Sequence, residues 1–360
     1  MHEFTDMREQ LKEYRALGRT GLKVSPLGLG VMTYGWGADK KAAREIFDLY
    51  REEGGNFFDT ADMYSGGGSE SWLGEFVSDA HARDQVVIAT KFSFNAQPGN
   101  PNAGGNGRKN IFRALEGSLK RLRTDYVDVY ILHAWDCVTP VEEVMSTLND
   151  MVRSGKVRHI GFSDAPAWYA SRAQTLAELR GFERLALLQL EYSLVSRNLE
   201  REHVSLAVET EVSIVPWSPL ASGFLTGKYR RENGKIVGSG RVFDYKDSGN
   251  PTLEKFSKRE KNWEILDAVL AAAKELGKTP VEIALAWVIG RPQVTSVLVG
   301  ATQKEQLELN LSALALELPP EIERRLTQVS RLESTELDHF FEPTMQGMIH
   351  GGVPVRRGLG

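Results

Sequence analysis

Residues 56–66 read Asn56-Phe57-Phe58-Asp59-Thr60-Ala61-Asp62-Met63-Tyr64-Ser65-Gly66. The stretch begins as a short apolar strand and ends as a polar loop. Asp59 stands where the strand stops, and Tyr64 follows in the loop. The same pattern recurs twice. Val86-Val87-Ile88-Ala89-Thr90 runs into Lys91, and Tyr126-Val127-Asp128-Val129-Tyr130-Ile131-Leu132 runs into His133. If these strands are parallel neighbours, Asp59, Tyr64, Lys91 and His133 converge on one rim.

Around this core the chain alternates. Residues 14–24 read as two short strands about a glycine turn, and Leu27–Met32 as an apolar strand. Asp39 caps a helix that carries Ala42, Ile46, Leu49 and Tyr50 at helical spacing. Strands near 157–162, 186–190, 212–215 and 295–299 complete a set of eight, each followed by a helical pattern. Gly277 is placed to end a helix, and Thr279-Pro280-Val281-Glu282 opens the next one as a capping box. Short strands that are continuously apolar expect cover on both faces, and the alternation implies a parallel sheet. A doubly wound sheet and a closed barrel both satisfy it. In either, chemistry belongs at the carboxyl ends of the strands. We expect a single domain over 1–360, with a polar leader at 1–13 and a tail at 335–360. The polar segment from Ser222 to about Phe256 reads as a lid or a disordered loop.

The composition narrows the function. The chain has 360 residues, 41% hydrophobic and 26% charged, with a net charge of −4. That balance predicts no nucleic-acid partner. No apolar run is long enough to span a membrane, so none is expected, and the N-terminus shows no signal pattern. One cysteine, Cys137, fits a reducing cytoplasm. The run Gly28-Leu29-Gly30 lacks the third glycine of a dinucleotide fingerprint, and Gly277-Lys278-Thr279 lacks the rest of a phosphate loop. The histidines show no zinc spacing, so no metal is expected. No serine sits in a nucleophile elbow.

Each member of the quartet has an ordinary reading alone. Asp59 serves as a cap, Tyr64 as a surface aromatic, Lys91 as a solvated strand end, and His133 as a satisfied histidine. Together, at successive strand ends, they suit acid–base chemistry. A free phenol titrates near 10, too high for efficient work at neutral pH. A lysine cation beside it favours the phenolate and is expected to lower that value, and an aspartate keeps the lysine charged. A histidine on the same rim can donate to an oxygen that gathers negative charge. The set suits protonation of an oxyanion formed by hydride addition. It does not suit hydrolysis, for want of a nucleophile.

These motifs, with Gly155-Lys156-Val157-Arg158-His159-Ile160-Gly161-Phe162-Ser163, Pro216-Trp217-Ser218-Pro219-Leu220 and Gly300-Ala301-Thr302, make the sequence resemble the aldo-keto reductase superfamily over about residues 14–331. Trp135-Asp136 after the histidine is most similar to the aryl-alcohol-dehydrogenase-like branch. The resemblance implies a (β/α)8 TIM barrel with the N-terminal β-hairpin closing its base, and a C-terminal extension. It implies Tyr64 as general acid, tuned by Lys91 and Asp59, with His133 orienting the substrate carbonyl. It implies a nicotinamide cofactor held without a dinucleotide fold. Ser163, Asp164 and Gln189 match positions that hold the carboxamide, and Tyr192 the aromatic that stacks on the nicotinamide ring. Trp217, Ser218, Pro219, Leu220, Gly223, Leu225 and Lys228 match the loop over the pyrophosphate. Gly300, Thr302, Gln306 and Asn310 match the adenosine end.

Two departures from the family pattern involve three positions. Asp164 stands where many relatives have asparagine and can accept but not donate. Gly300 and Gln306 stand where some relatives hold the 2′-phosphate with a lysine and an arginine. Lys228, Arg241 and Lys304 remain nearby, and on those cations we expect NADPH/NADP+ rather than NADH. Tyr34, Phe92 and Trp135 are candidates for the substrate pocket, with Met32, Trp36, Phe340 and Phe341 behind them. The expected partner is a small-molecule carbonyl or alcohol, and a homo-oligomer is a possible assembly. The other reading within the resemblance is a nicotinamide-binding regulatory subunit of a membrane channel or other complex, as in the potassium-channel β-subunit branch.

Overall fold

A computed structural model describes residues 9–232, 235–238 and 252–355. Arg241 lies outside the described residues, as does part of the segment expected to form a lid. Two short antiparallel strands, β1 (Arg15–Ala16) and β2 (Lys23–Val24), form the N-terminal hairpin. Seven barrel strands follow: β3 (Leu27–Gly30), β4 (Phe57–Asp59), β5 (Val87–Phe92), β6 (Val127–Leu132), β7 (Val157–Ser163), β8 (Leu185–Glu191) and β9 (Ser213–Trp217). A second hairpin, β10 (Tyr229–Glu232) and β11 (Lys235–Gly238), precedes the eighth barrel strand, β12 (Val297–Val299). The barrel order is β12-β3-β4-β5-β6-β7-β8-β9, parallel throughout. The ring closes between β9 and the approach to β12. Ile214 N donates to Gln293 O at 2.8 Å, and Thr295 N to Ile214 O at 3.0 Å.

Side chains alternate along each strand, so each strand has an inward and an outward series. Phe57, Val87, Ala89, Val129, Ile131, Leu187, Val215 and Leu298 form the inner core. Phe58, Ile88, Tyr130, Phe162 and Ile214 face the helix layer. The expectation that the hairpin closes the base holds. Its Leu17 and Val24 are fully buried in the inner core. Gly18 is needed there: its φ is +55°, and a Cβ would lie 2.5 Å from the Ala186 carbonyl oxygen.

The helices between strands are α1 (Lys40–Glu52), α2 (Gly68–Asp79), α3 (Arg108–Leu122), α4 (Val141–Arg153), α5 (Ala167–Arg180) and α6 (His203–Thr210). Next come α7 (Thr252–Ser257), α8 (Glu260–Leu276) and α9 (Pro280–Ile289), with α10 (Lys304–Leu311) and α11 (Pro320–Val329) after β12. Asp39 caps α1, accepting from Ala42 N at 2.8 Å. The capping box at Thr279 and Glu282 opens α9, and Gly277 ends α8 in the left-handed region, as the sequence predicts. The tail carries α12 (Glu336–Phe340) and α13 (Pro343–Ile349).

Candidate active site

The inward series determines what reaches the carboxyl rim. Two-residue steps carry it from Phe57 to Asp59, from Ala89 to Lys91, from Ile131 to His133, from Gly161 to Ser163, from Leu187 to Gln189 and from Val215 to Trp217. Six side chains from six strands therefore face one mouth. Tyr64 joins them from the turn after β4.

Lys91 is wholly buried. Its Nζ donates to Asp59 Oδ1 at 2.5 Å, to the Thr60 carbonyl at 2.8 Å and to Tyr64 Oη at 3.4 Å. Gln189 Nε2 donates to the other oxygen of Asp59 at 2.8 Å. Tyr64 Oη lies 3.4 Å from His133 Nε2. The quartet of the sequence analysis is thus one connected group.

Its electrostatics differ from expectation at one point. Burial pushes the Tyr64 phenol above its ordinary value, the Lys91 cation pulls it down, and the Asp59 charge pushes it up. The net shift is upward, so the expected lowering by Lys91 is outweighed by removal from water. Lys91 is disfavoured as a cation by burial, but Asp59 and Tyr64 more than compensate and hold it above its usual value. Burial, then the Lys91 charge, lowers His133 to about 2, so its imidazole is neutral. Asp62, buried beneath the Tyr64 turn, is raised to about 7 by burial and by Glu70, against Arg121 and Arg113.

On the opposite side of the mouth the groups are more open. Trp217 is half-buried, and its Nε1 donates to Asp164 Oδ1 at 3.2 Å. Ser163 Oγ lies 3.3 Å from Asp164 Oδ2. The protein around the Asp164 carboxyl displaces water and raises it to about 6, although the residue as a whole is exposed at the rim. After Trp217 the backbone turns tightly. Ser218, Ala221 and Ser222 take φ of 54°, 51° and 55°, and Gly223 93°. Non-glycine residues in that region mark stored strain. Pro219 and Leu225 are buried, Leu220 is half-buried, and Lys228 is exposed. At the far end, Thr302 N and Oγ1 both donate to Gln306 Oε1, at 2.9 and 3.2 Å, and Asn310 Nδ2 donates to the Gly300 carbonyl at 3.3 Å. Lys304 begins α10, exposed.

Three expected residues sit elsewhere. Tyr192 is 2% exposed, with its ring edge-on to Trp287 and its hydroxyl donating to Glu200 at 2.5 Å. A ring so covered has no open face for a nicotinamide. Phe92 is fully buried against Tyr130 in the helix layer. Tyr34 is 1% exposed and packs on Phe76. Neither lines a pocket. Trp135 does stand at the rim, half-buried and perpendicular to Trp168.

Two residues near His133 were not singled out from the sequence. Ser93 Oγ accepts from His133 N at 3.1 Å and donates to Asn106 Oδ1 at 2.6 Å. Phe94 lies edge to face with the His133 ring at 4.8 Å. Counting inward positions on from Lys91 would have found Ser93. Among the described residues no cluster of acidic, histidine or cysteine side chains could hold a metal, and no helix is long and apolar enough to cross a membrane.

An eight-stranded parallel barrel with a buried Lys–Asp pair and a phenol at its carboxyl rim defines a class, and comparison with known proteins names it. The model of the Aldo/keto reductase family matches residues 26–331. An uncharacterised oxidoreductase of Bacillus subtilis, YrpG, is 38% identical over 328 residues, 88% of this chain and 95% of the relative. An NADP(+) aryl-alcohol dehydrogenase of Phanerodontia chrysosporium is 32% identical over 84% of this chain and 81% of its own length. A probable voltage-gated potassium channel subunit beta of Oryza sativa is 36% identical over 84% of this chain and 91% of its own. The chain belongs to the aldo/keto reductase family and is an NAD(P)H-dependent oxidoreductase.

Proposed function

We propose that this protein reduces aldehydes and ketones to alcohols with NADPH, with Tyr64 as proton donor. The observation that carries the reading is the wholly buried Lys91 ammonium, held between Asp59 and the Tyr64 hydroxyl. Burial keeps the phenol protonated at neutral pH, so it has a proton to give. As the phenol gives that proton to the substrate oxygen, the adjacent Lys91 cation stabilises the phenolate left behind. Asp59, fixed by Lys91 and Gln189, keeps that cation in place. Neutral His133 donates from Nε2 to the same oxygen and orients the carbonyl. A bound reduced nicotinamide supplies the hydride.

The residues present suit such a group. The Ser163 hydroxyl, the Gln189 amide and the Asp164 carboxylate offer mixed donors and acceptors for a carboxamide. Trp217, rather than Tyr192, offers a half-open ring beside them. Gly30 and Gly300 leave the rim low, each with only a carbonyl oxygen within 4 Å of where a Cβ would stand. Preference for NADPH rests on Lys228 and Lys304, with Arg241 a further candidate. A homo-oligomer, a cytoplasmic setting and a single domain complete the proposal.

The test is nicotinamide absorbance over time, with purified protein, NADPH or NADH, and a panel of aryl and aliphatic aldehydes and ketones, beside Tyr64→Phe. NADPH consumption that the variant loses supports the reading. Consumption unchanged in the variant removes Tyr64 as donor. The rice relative favours a second reading, a regulatory subunit. That reading predicts tight NADPH binding with slow exchange, a stable oligomer and no turnover on any carbonyl of the panel.

A further inference from the structure

A histidine at a reacting centre usually has its ring oriented by a hydrogen bond at the nitrogen that faces away from the chemistry. His133 lacks one. Its Nδ1 is buried and meets no hydrogen-bond partner among the described residues. The backbone is well held, with His133 N donating to the Phe92 carbonyl at 2.9 Å and to Ser93 Oγ at 3.1 Å. Those bonds fix Cα but leave the ring free about its last torsion, which has a broad energy well. Two aromatic rings flank the imidazole. Tyr64 stands 5.6 Å away at 83°, and Phe94 4.8 Å away at 83°. Both are edge-to-face contacts of the favourable kind. Tyr64 is already engaged with Nε2, so Phe94 is the neighbour that steadies the ring without joining the chemistry.

We propose that Phe94 is a positioning residue, wedging the His133 imidazole so that Nε2–H faces the reacting oxygen and Nδ1 stays bare. The inference rests on the reading above that His133 orients the carbonyl. With no acceptor at Nδ1 and an oxygen beside Nε2, the proton is better placed on Nε2, which is the donor tautomer. The apolar wedge achieves by shape what a hydrogen bond at Nδ1 would achieve by direction. Phe94 is 43% exposed, so one part of its ring also faces the mouth. A wall for substrate and a wedge for His133 are therefore separable roles.

The experiment compares Phe94→Leu, which keeps apolar bulk and loses the ring, with Phe94→Tyr, which keeps the ring. Long-range 15N–1H spectra of histidine-labelled protein report the His133 tautomer without cofactor or substrate, with assignment by His133→Gln. We expect one Nε2–H tautomer in wild type and in Phe94→Tyr, and a tautomer mixture or broadened signals in Phe94→Leu. In turnover, Phe94→Leu lowers kcat about tenfold with little change in KM, because a ring that rotates is misaimed for most encounters. Phe94→Tyr retains most of kcat. An unchanged His133 spectrum in Phe94→Leu overturns the proposal, and so does a rise in KM at constant kcat, which makes Phe94 a substrate wall alone. If wild type turns over no carbonyl, the proposed function fails, yet the spectra still decide whether Phe94 holds the ring. Should Phe94→Leu not fold, Phe94→Met carries the same arms.

Discussion

On the β4–β6 side of the mouth, Lys91 and Asp59 are sealed from water and every contact runs side chain to side chain or to a nearby carbonyl. On the β9–α10 side, Trp217 and Ser222 are half open, Lys228 and Lys304 are exposed, and the shape comes from left-handed backbone. The first half is preformed by burial. Its charges interact strongly because little solvent screens them, and each is costly to expose alone. The second half is a more open surface shaped by loops. Within one rim, the fold separates a sealed cluster of charges from a more open, loop-built face.

Breaking the sealed half has the largest expected effect. Tyr64→Phe removes the proposed proton donor and is expected to lower kcat by about 10²–10⁴, while thermal unfolding stays close to wild type because the ring remains. A comparable loss of stability would place Tyr64 in the structural group instead. Lys91→Met leaves the buried Asp59 carboxylate without its cation and destabilises the fold by about 3–5 kcal/mol. Urea unfolding measures this, and adding Asp59→Asn recovers part of the loss. A Lys91→Met variant as stable as wild type would show that the pair is solvated.

The next prediction concerns the carboxyl beneath Tyr64. Asp62 is raised to about 7, whereas an unfolded aspartate titrates near 4. Between those values the folded protein keeps a proton that the unfolded chain has lost. Stability from this group therefore falls as pH rises, by at most about 1.4 kcal/mol per unit. Asp62→Asn removes that slope. In urea titrations at pH 5 and pH 8, the variant gains on wild type at the higher pH. An equal difference at both would place Asp62 in contact with water. The smallest effect belongs to the open half. Trp217→Phe loses one hydrogen bond to Asp164 and weakens NADPH binding by about 0.5–1.5 kcal/mol, read by nucleotide fluorescence titration. A loss far beyond that would mean that the open half is as tightly coupled as the sealed one.

Legibility followed the same division. Asp59, Lys91 and His133 could be found because each ends an apolar run, and strand ends of a parallel α/β sheet face one way. Phe92 was a candidate that strand alternation already argued against: if Lys91 points into the barrel, its neighbour must point into the helices. Tyr192 directly follows β8, three positions on from inward-facing Gln189, so alternation argued against it too, and it packs on Trp287 in the helix layer. Tyr34 was harder: it follows β3 by four residues, where the period of two no longer applies, and packing against Phe76 decides its direction. Phe94 carried no motif, because a contact between two rings in loops that follow different strands leaves no spacing in the chain. For the loop after β9, the sequence shows that Pro216-Trp217-Ser218-Pro219-Leu220 stops a strand, but not that Ser218, Ala221 and Ser222 adopt left-handed backbone.

By itself the sequence determined the alternation of strands and helices, the N-terminal hairpin and the identity of the groups at the strand ends. Those follow from local patterns, and parallel pairing does the rest. Only the tertiary structure decided that Tyr64, five positions beyond its strand, swings back to within 3.4 Å of both Lys91 and His133. It alone decided the contest over the Tyr64 phenol, where the Lys91 charge favours one form and burial the other. Charge can be read from one residue, but burial is a property of everything packed around it.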